Sequence, residues 1–183
     1  MTMTLAFVVN FNLFVLILVL PCGTVFDFEN ALSGWTLTGT AFDNQPTYRD
    51  NPLARNNDQP SNHRGDWWIG SHEDRPSPSD PVGGYQGDDP TGSLTSPSFV
   101  IGGNSFKFLI GGGCDIGLVR AELVVEGNAV LQETGDCRES MTEKVWDVSE
   151  YIGRLAQLCL IDHGSASVSW GHINFDHFEE ICP

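Results

Sequence analysis

From Leu94 onward the chain is cut into short apolar runs separated by glycine and polar residues, at 98–101, 105–110, 118–125, 130–134, 144–148, 155–161 and 172–178. Runs this short are too brief to bury one face of a helix, so they predict strands. Glu126-Gly127-Asn128 between two such runs predicts a hairpin turn, and Gly111-Gly112-Gly113 ends another run. The one helical candidate is a turn around 149–153. Upstream, about 43–93, the texture changes to Asn, Asp, Pro, Gly, Ser and Arg. Seven of the ten prolines fall between Pro46 and Pro90, which excludes a long helix there and predicts loop with at most short strands. Many short strands with closely spaced turns predict a single all-β domain over 24–183, a sandwich or jelly roll carrying a proline-rich insert at about 43–93.

Alternation assigns the faces. Val119, Ala121, Leu123 and Val125 share one side of their strand, leaving Arg120 and Glu122 on the other. On the last strand Ile173 and Phe175 point one way, and His172, Asn174 and Asp176 the other. Such outward sets either line a groove or form a solvated face. Trp67, Trp68 and Tyr85 lie in the polar insert where no strand core claims them, although one of the two adjacent tryptophans is expected to cover the sandwich edge. Trp35, Trp146 and Trp170 are expected in the core.

A formal net charge of −15, from 24 acidic against 9 basic residues, argues against nucleic acid or anionic membrane as partner. Hydrophobic residues at 40% argue equally against a disordered acidic tail. Residues 5–20 are almost wholly apolar and read as the heart of a secretory signal peptide over 1–23, too short for a spanning helix. The mature protein is therefore expected to be secreted, extracellular and not embedded in a membrane. Cleavage near Gly23 removes Cys22 and leaves four cysteines, for which two disulfides are expected in an oxidising compartment. The preferred pairing is Cys114 with Cys137 and Cys159 with Cys182, each bracketing a short strand-like excursion. No C-x-x-C spacing supports zinc thiolate chemistry. No G-x-S-x-G or H-E-x-x-H motif occurs, no pair of carboxylates stands out, and His172 and His177 are placed on opposite strand faces, so an enzyme is not expected.

An ordered set of segments then carries a resemblance: Asp27-Phe28-Glu29-Asn30 with Gly34-Trp35, Gly39 with Ala41-Phe42, residues 92–99, residues 108–113, residues 122–127, Trp146-Asp147-Val148-Ser149, and residues 170–176. Together they resemble the fructan-binding carbohydrate-binding modules appended to bacterial levanases and related β-fructosidases. The resemblance implies a jelly roll of the galactose-binding-like or lectin-like kind that recognises an extracellular glycan, a fructan or terminal sugar, without catalysis. A weaker resemblance, over the first strand, is to the MAM-type adhesion domain. It implies an extracellular interaction module for a cell-surface protein, and Arg64-Gly65-Asp66 is the tripeptide integrins read.

Sugars are held by aromatic faces together with fixed donors and acceptors. The expected glycan site therefore comprises Trp67, Trp68, Tyr85, Arg120, Glu122, His172 and Asn174. A structural Ca²⁺ joining first and last strands is expected to use the hard oxygen ligands Asp27, Glu29 and Asp176.

Overall fold

The computed structural model describes residues 22–55 and 58–182, so all of the expected signal peptide except Cys22 and Gly23 lies outside the described residues. The chain forms two antiparallel six-stranded sheets. The strands are β1 (Val25–Phe26), β2 (Thr36–Gly39), β3 (Thr47–Tyr48), β4 (Trp67–Gly70), β5 (Gly92–Thr95), β6 (Phe99–Val100), β7 (Ser105–Gly112), β8 (Val119–Val125), β9 (Asn128–Glu133), β10 (Arg138–Asp147), β11 (Leu155–Asp162) and β12 (Ile173–Ile181). The first sheet runs β10-β7-β12-β4-β3 with β1 also on β12; the second runs β2-β5-β11-β8-β9 with β6 also on β11. This is the expected all-β jelly-roll sandwich.

The apolar halves of both sheets meet in one core. Val119, Ala121, Leu123 and Val125 of β8 are buried as the alternation predicts, against Ile173 and Phe175 of β12. Aromatic rings fill much of the interior: Phe106 stacks on Phe178 at 4.4 Å, and Trp146 meets Phe108 edge-on at 4.5 Å. Glu126 and Gly127 both adopt left-handed backbone (φ 51° and 83°), the geometry a two-residue hairpin requires, and join β8 to β9. A 3₁₀ turn, Ser149–Tyr151, occupies the expected helical position.

The insert is more structured than its composition suggests. It contains a one-turn helix, α1 (Asn51–Ala54), with Pro52 in its first turn and the Asp50 carboxylate capping Leu53 N–H. It also supplies β3 and β4, and β4 pairs with β12 within the first sheet. Trp68, Leu109 and Met141 form a second apolar cluster there. The insert is anchored by Glu73, fully buried, whose carboxylate receives both terminal nitrogens of Arg55 and the side-chain amide of Asn51. Burial of a carboxylate is tolerated when it is paired and hydrogen-bonded in this way.

Two disulfides form, Cys114–Cys137 as expected and Cys22–Cys182. The expected Cys159–Cys182 pairing is incorrect. Cys159 lies mid-strand on β11, partnered across the sheet by Thr95 and Glu122, whereas β1 lies beside β12 and carries Cys22 to the end of the chain. The expected loss of Cys22 by cleavage near Gly23 is incompatible with this bridge. Glu180 reinforces the same junction: its carboxylate accepts from the amides of Gly23, Thr24, Gly102 and Gly103.

Candidate functional site

The seven residues expected to bind a glycan do not converge. Arg120 and Glu122 sit on β8 of the second sheet, while His172 precedes and Asn174 lies within β12 of the first. Arg120 Nε donates to Glu122 Oε1 at 2.7 Å, Gln132 donates to the same oxygen at 2.8 Å, and the Arg120 guanidinium also reaches the Ile116 carbonyl. This polar set is satisfied largely within its own face. His172, Asn174 and Asp176 do share the outer side of β12, as the alternation requires, but they are buried, because Arg64 and Asp88 of the insert and Glu139 of β10 pack onto them. Trp68 is fully buried for the same reason, its Nε1–H donating to the Arg49 carbonyl. Trp146 is in the core; Trp35 is half-buried against Phe26 and Phe28; Trp170 is half-buried beside the His172 ring instead of in the core.

Trp67 points the opposite way from Trp68, as adjacent strand residues must. It is half-buried against Tyr48, with ring centroids 4.9 Å apart, and forms one wall of a cleft of about 380 Å³ together with Pro46 and Pro76. Glu29, Asn30 and Gln45 supply the polar side. The Gln45 side chain is locked, its oxygen accepting from Gly70 N–H and its nitrogen donating to the Glu73 carbonyl. Glu29 Oε1 accepts from the amides of Asp66 and Trp67 at 2.8 and 3.0 Å, fixing the strand entry on which the tryptophan stands. Chemically the cleft offers a rigid apolar wall beside carboxylate and amide groups.

The Arg64-Gly65-Asp66 loop is exposed at Arg64 and Gly65 yet pinned. Arg64 N–H donates to Asp176 Oδ2 at 2.7 Å, the Arg64 guanidinium pairs with Glu143 at 3.0 Å, and the Asp66 carboxylate pairs with Arg49 at 3.2 Å. Asp176 is fully buried and its second oxygen has no hydrogen-bond partner. Burial pushes its pKa up to about 7; the amides of Arg64 and His177 counteract this and Glu29 adds to it. Asp27, the third expected calcium ligand, accepts from Glu29 N–H at 3.2 Å.

A further polar cluster gathers where β4, the end of the insert and the start of β12 meet. Nδ1 of His72 and Nδ1 of His172 lie 2.6 and 3.0 Å from the same oxygen, Asp88 Oδ1. Tyr85, exposed, stacks nearly parallel on His72 at 5.3 Å. Burial pulls the His172 pKa down, but the flanking Asp88 and Glu139 carboxylates outweigh it and raise it to about 9. Reciprocally, Asp88 is held below the usual carboxylate range: burial opposes this, and the hydrogen bonds from the two histidines prevail.

No protein-family model matches the chain. Over 96 residues it is 43% identical to a putative glycosyl hydrolase, ecdE, of Aspergillus rugulosus, a match covering 52% of this chain and 13% of that protein. The chain thus spans about an eighth of the relative it matches. Among solved structures it is similar to the K1 cleaved adhesin domain of Lys-gingipain from Porphyromonas gingivalis, with a TM-score of 0.52 and 13% identity over 89% of this chain and 99% of that one. It also aligns with TmCBM61, solved in complex with β-1,4-galactotriose, with a TM-score of 0.45 and 13% identity over 84% and 92% of the two chains. At 13% identity the likeness to the adhesin domain bears on the fold alone and agrees with the sandwich.

Sequence reasoning missed His72, Asp88 and Glu139 as partners of His172, and Asn30, Gln45, Pro46 and Pro76 as partners of Trp67. All but Asn30 and Glu139 lie in the insert, where no periodicity assigns a face. The usable signal was the pair Trp67-Trp68: neighbouring strand residues face opposite sides, and here Trp67 takes the side of Ile69 and the core while Trp68 joins Leu109 and Met141.

Proposed function

We propose that this chain is an extracellular, non-catalytic glycan-binding module whose sugar site is the Trp67 cleft. The observation that carries the proposal is the pairing in one cleft of a half-exposed indole with the carboxylate and amides of Glu29, Asn30 and Gln45. A pyranose or furanose ring presents the matching chemistry, C–H surface on its faces and hydroxyls at its edge. The sandwich fold, shared with an adhesin domain, and the partial identity to a protein named as a glycosyl hydrolase, of which a module this size forms a small part, support the reading. The segment resemblance to fructan-binding modules makes a fructan or terminal fructosyl unit the first ligand to try.

Calcium at the junction of the first and last strands belongs to the same proposal, with Asp27, Glu29 and Asp176 as ligands that must draw together to hold the ion, since their ligand atoms do not all lie within 4.8 Å of one another. The partnerless oxygen of Asp176 supports it.

A glycan array including levan and inulin tests the reading, read beside a hydrolysis assay on the same glycans and a cell-adhesion assay with and without RGD peptide. Glycan capture without hydrolysis is expected. Silence on the array with RGD-sensitive adhesion would replace it with the protein-interaction reading.

A further inference from the structure

We propose that His72, Asp88 and His172 form a binding site for a divalent transition-metal ion of the zinc class, with two imidazole nitrogens and one carboxylate oxygen as ligands.

The three residues come from separate segments, yet their ligand atoms all lie within 4.8 Å of one another, and no other group of three His, Cys, Asp or Glu does so among the described residues. Both Nδ1 atoms already converge on Asp88 Oδ1, at 2.6 and 3.0 Å. Ligands around a tetrahedral ion with bonds near 2.0–2.1 Å stand about 3.3 Å apart, so admitting the ion changes these separations by no more than about 1.5 Å. The donor set selects the metal class. Two imidazoles suit zinc, copper, nickel or cobalt, whereas calcium takes oxygen alone.

The surroundings are those that orient metal-binding histidines. The second ring nitrogen of His172, Nε2, lies 3.5 Å from Glu139 Oε2, longer than a hydrogen bond but close enough for that carboxylate to hold the Nε2 proton once Nδ1 releases its own proton to solvent to ligate the ion. Glu139 is in turn held by Asn174 Nδ2 at 3.0 Å, and the same nitrogen donates to the Glu139 carbonyl at 2.9 Å. The remaining oxygen of Asp88 accepts from Gly171 N–H at 3.3 Å, and the His72 ring is backed by Tyr85. The side chains of His72 and Asp88 are 22% and 17% exposed, that of His172 5%, so an ion reaches the cluster from the rim and leaves a position open there for water or a further ligand. Asp88 and Glu139 together bring two negative charges to neutralise a divalent cation.

The test uses the secreted chain without an affinity tag, carrying Cys159→Ser to remove the unpaired thiol, stripped with EDTA and dialysed. Co²⁺ is titrated by visible absorption and Zn²⁺ by competition against it. The expected result is one saturable site with the ligand-field bands of a nitrogen-ligated cobalt ion. His72→Gln and Asp88→Asn should each weaken binding by about 100-fold or more, and Glu139→Gln by about 10- to 100-fold, the usual consequence of losing an orienting carboxylate. The exposed His163→Gln variant should bind unchanged. Circular dichroism confirms that each variant is folded, and His72, at the rim, is the substitution least able to disturb the core. A parent protein with no saturable 1:1 site, or folded His72→Gln and Asp88→Asn variants that bind as tightly as the parent, overturns the proposal.

Discussion

Asp176 makes the stability of this protein depend on pH in a direction opposite to that of most carboxylates. Its carboxyl titrates near 7 in the folded chain, against an ordinary value of 3.8. A raised folded-state pKa means that the native state holds the proton more tightly than the unfolded one. The associated stability is fully present below about pH 4 and is lost progressively as pH rises to 7. The interval of about three pH units corresponds to roughly 4 kcal/mol, an upper figure because the unfolded chain is taken as fully solvated. Asp176→Asn removes the titration while keeping an oxygen to accept from Arg64 N–H. Urea unfolding of both proteins in EDTA, from pH 4 to pH 8, isolates the effect, since other titrating groups cancel in the difference. The two should be of similar stability at pH 4, and the asparagine variant should be the more stable at pH 8 by a few kcal/mol. Millimolar Ca²⁺ at pH 8 should then stabilise the parent and not the variant, because the ion neutralises the ionised carboxylate. A stability difference that stays constant across the range would refute the buried, protonated Asp176.

Three further outcomes follow from the structure. Arg55→Leu strands the buried Glu73 carboxylate and should cost about 3 to 5 kcal/mol by urea unfolding, with Glu73→Gln in the same chain recovering most of it; a cost under about 1 kcal/mol contradicts the anchoring role. Non-reducing peptide mapping of the oxidised chain should return Cys22–Cys182 and Cys114–Cys137, with Cys159 alkylated after unfolding, and any Cys159 cross-link rejects this pairing. Glu180→Ala, which frees four backbone amides at the chain junction, should lower the melting temperature by several degrees, on the order of 2 to 4 kcal/mol; an unchanged melting curve assigns that junction to the disulfide alone.

The strands were legible because one-sided burial leaves a period-two imprint. Val119 to Val125 declared both faces, and the Glu126-Gly127 turn declared its hairpin. The insert was not legible, since its order comes from long-range polar contacts such as Arg55 to Glu73 and Asp88 to His172, which leave no periodic trace. That is why His172, Asn174 and Asp176 were correctly placed on one face and wrongly left uncovered. The disulfide error has a related cause. Pairing by proximity in sequence cannot see that the first strand lies beside the last, which is a property of topology. For the glycan site, alternation identified polar side chains without saying which sheet each strand joins. Arg120 with Glu122 and His172 with Asn174 therefore read as one set although they occupy different sheets.

The most direct measurement is affinity electrophoresis, through gels containing the polysaccharide captured on the array, of the parent protein beside Trp67→Ala and Arg120→Ala. If the cleft is the sugar site, the parent and Arg120→Ala are retarded alike, and Trp67→Ala loses affinity by at least about tenfold, roughly 1.4 kcal/mol of lost contact. Full retardation of folded Trp67→Ala contradicts the account, and loss of retardation in Arg120→Ala alone moves the site to the β8 face.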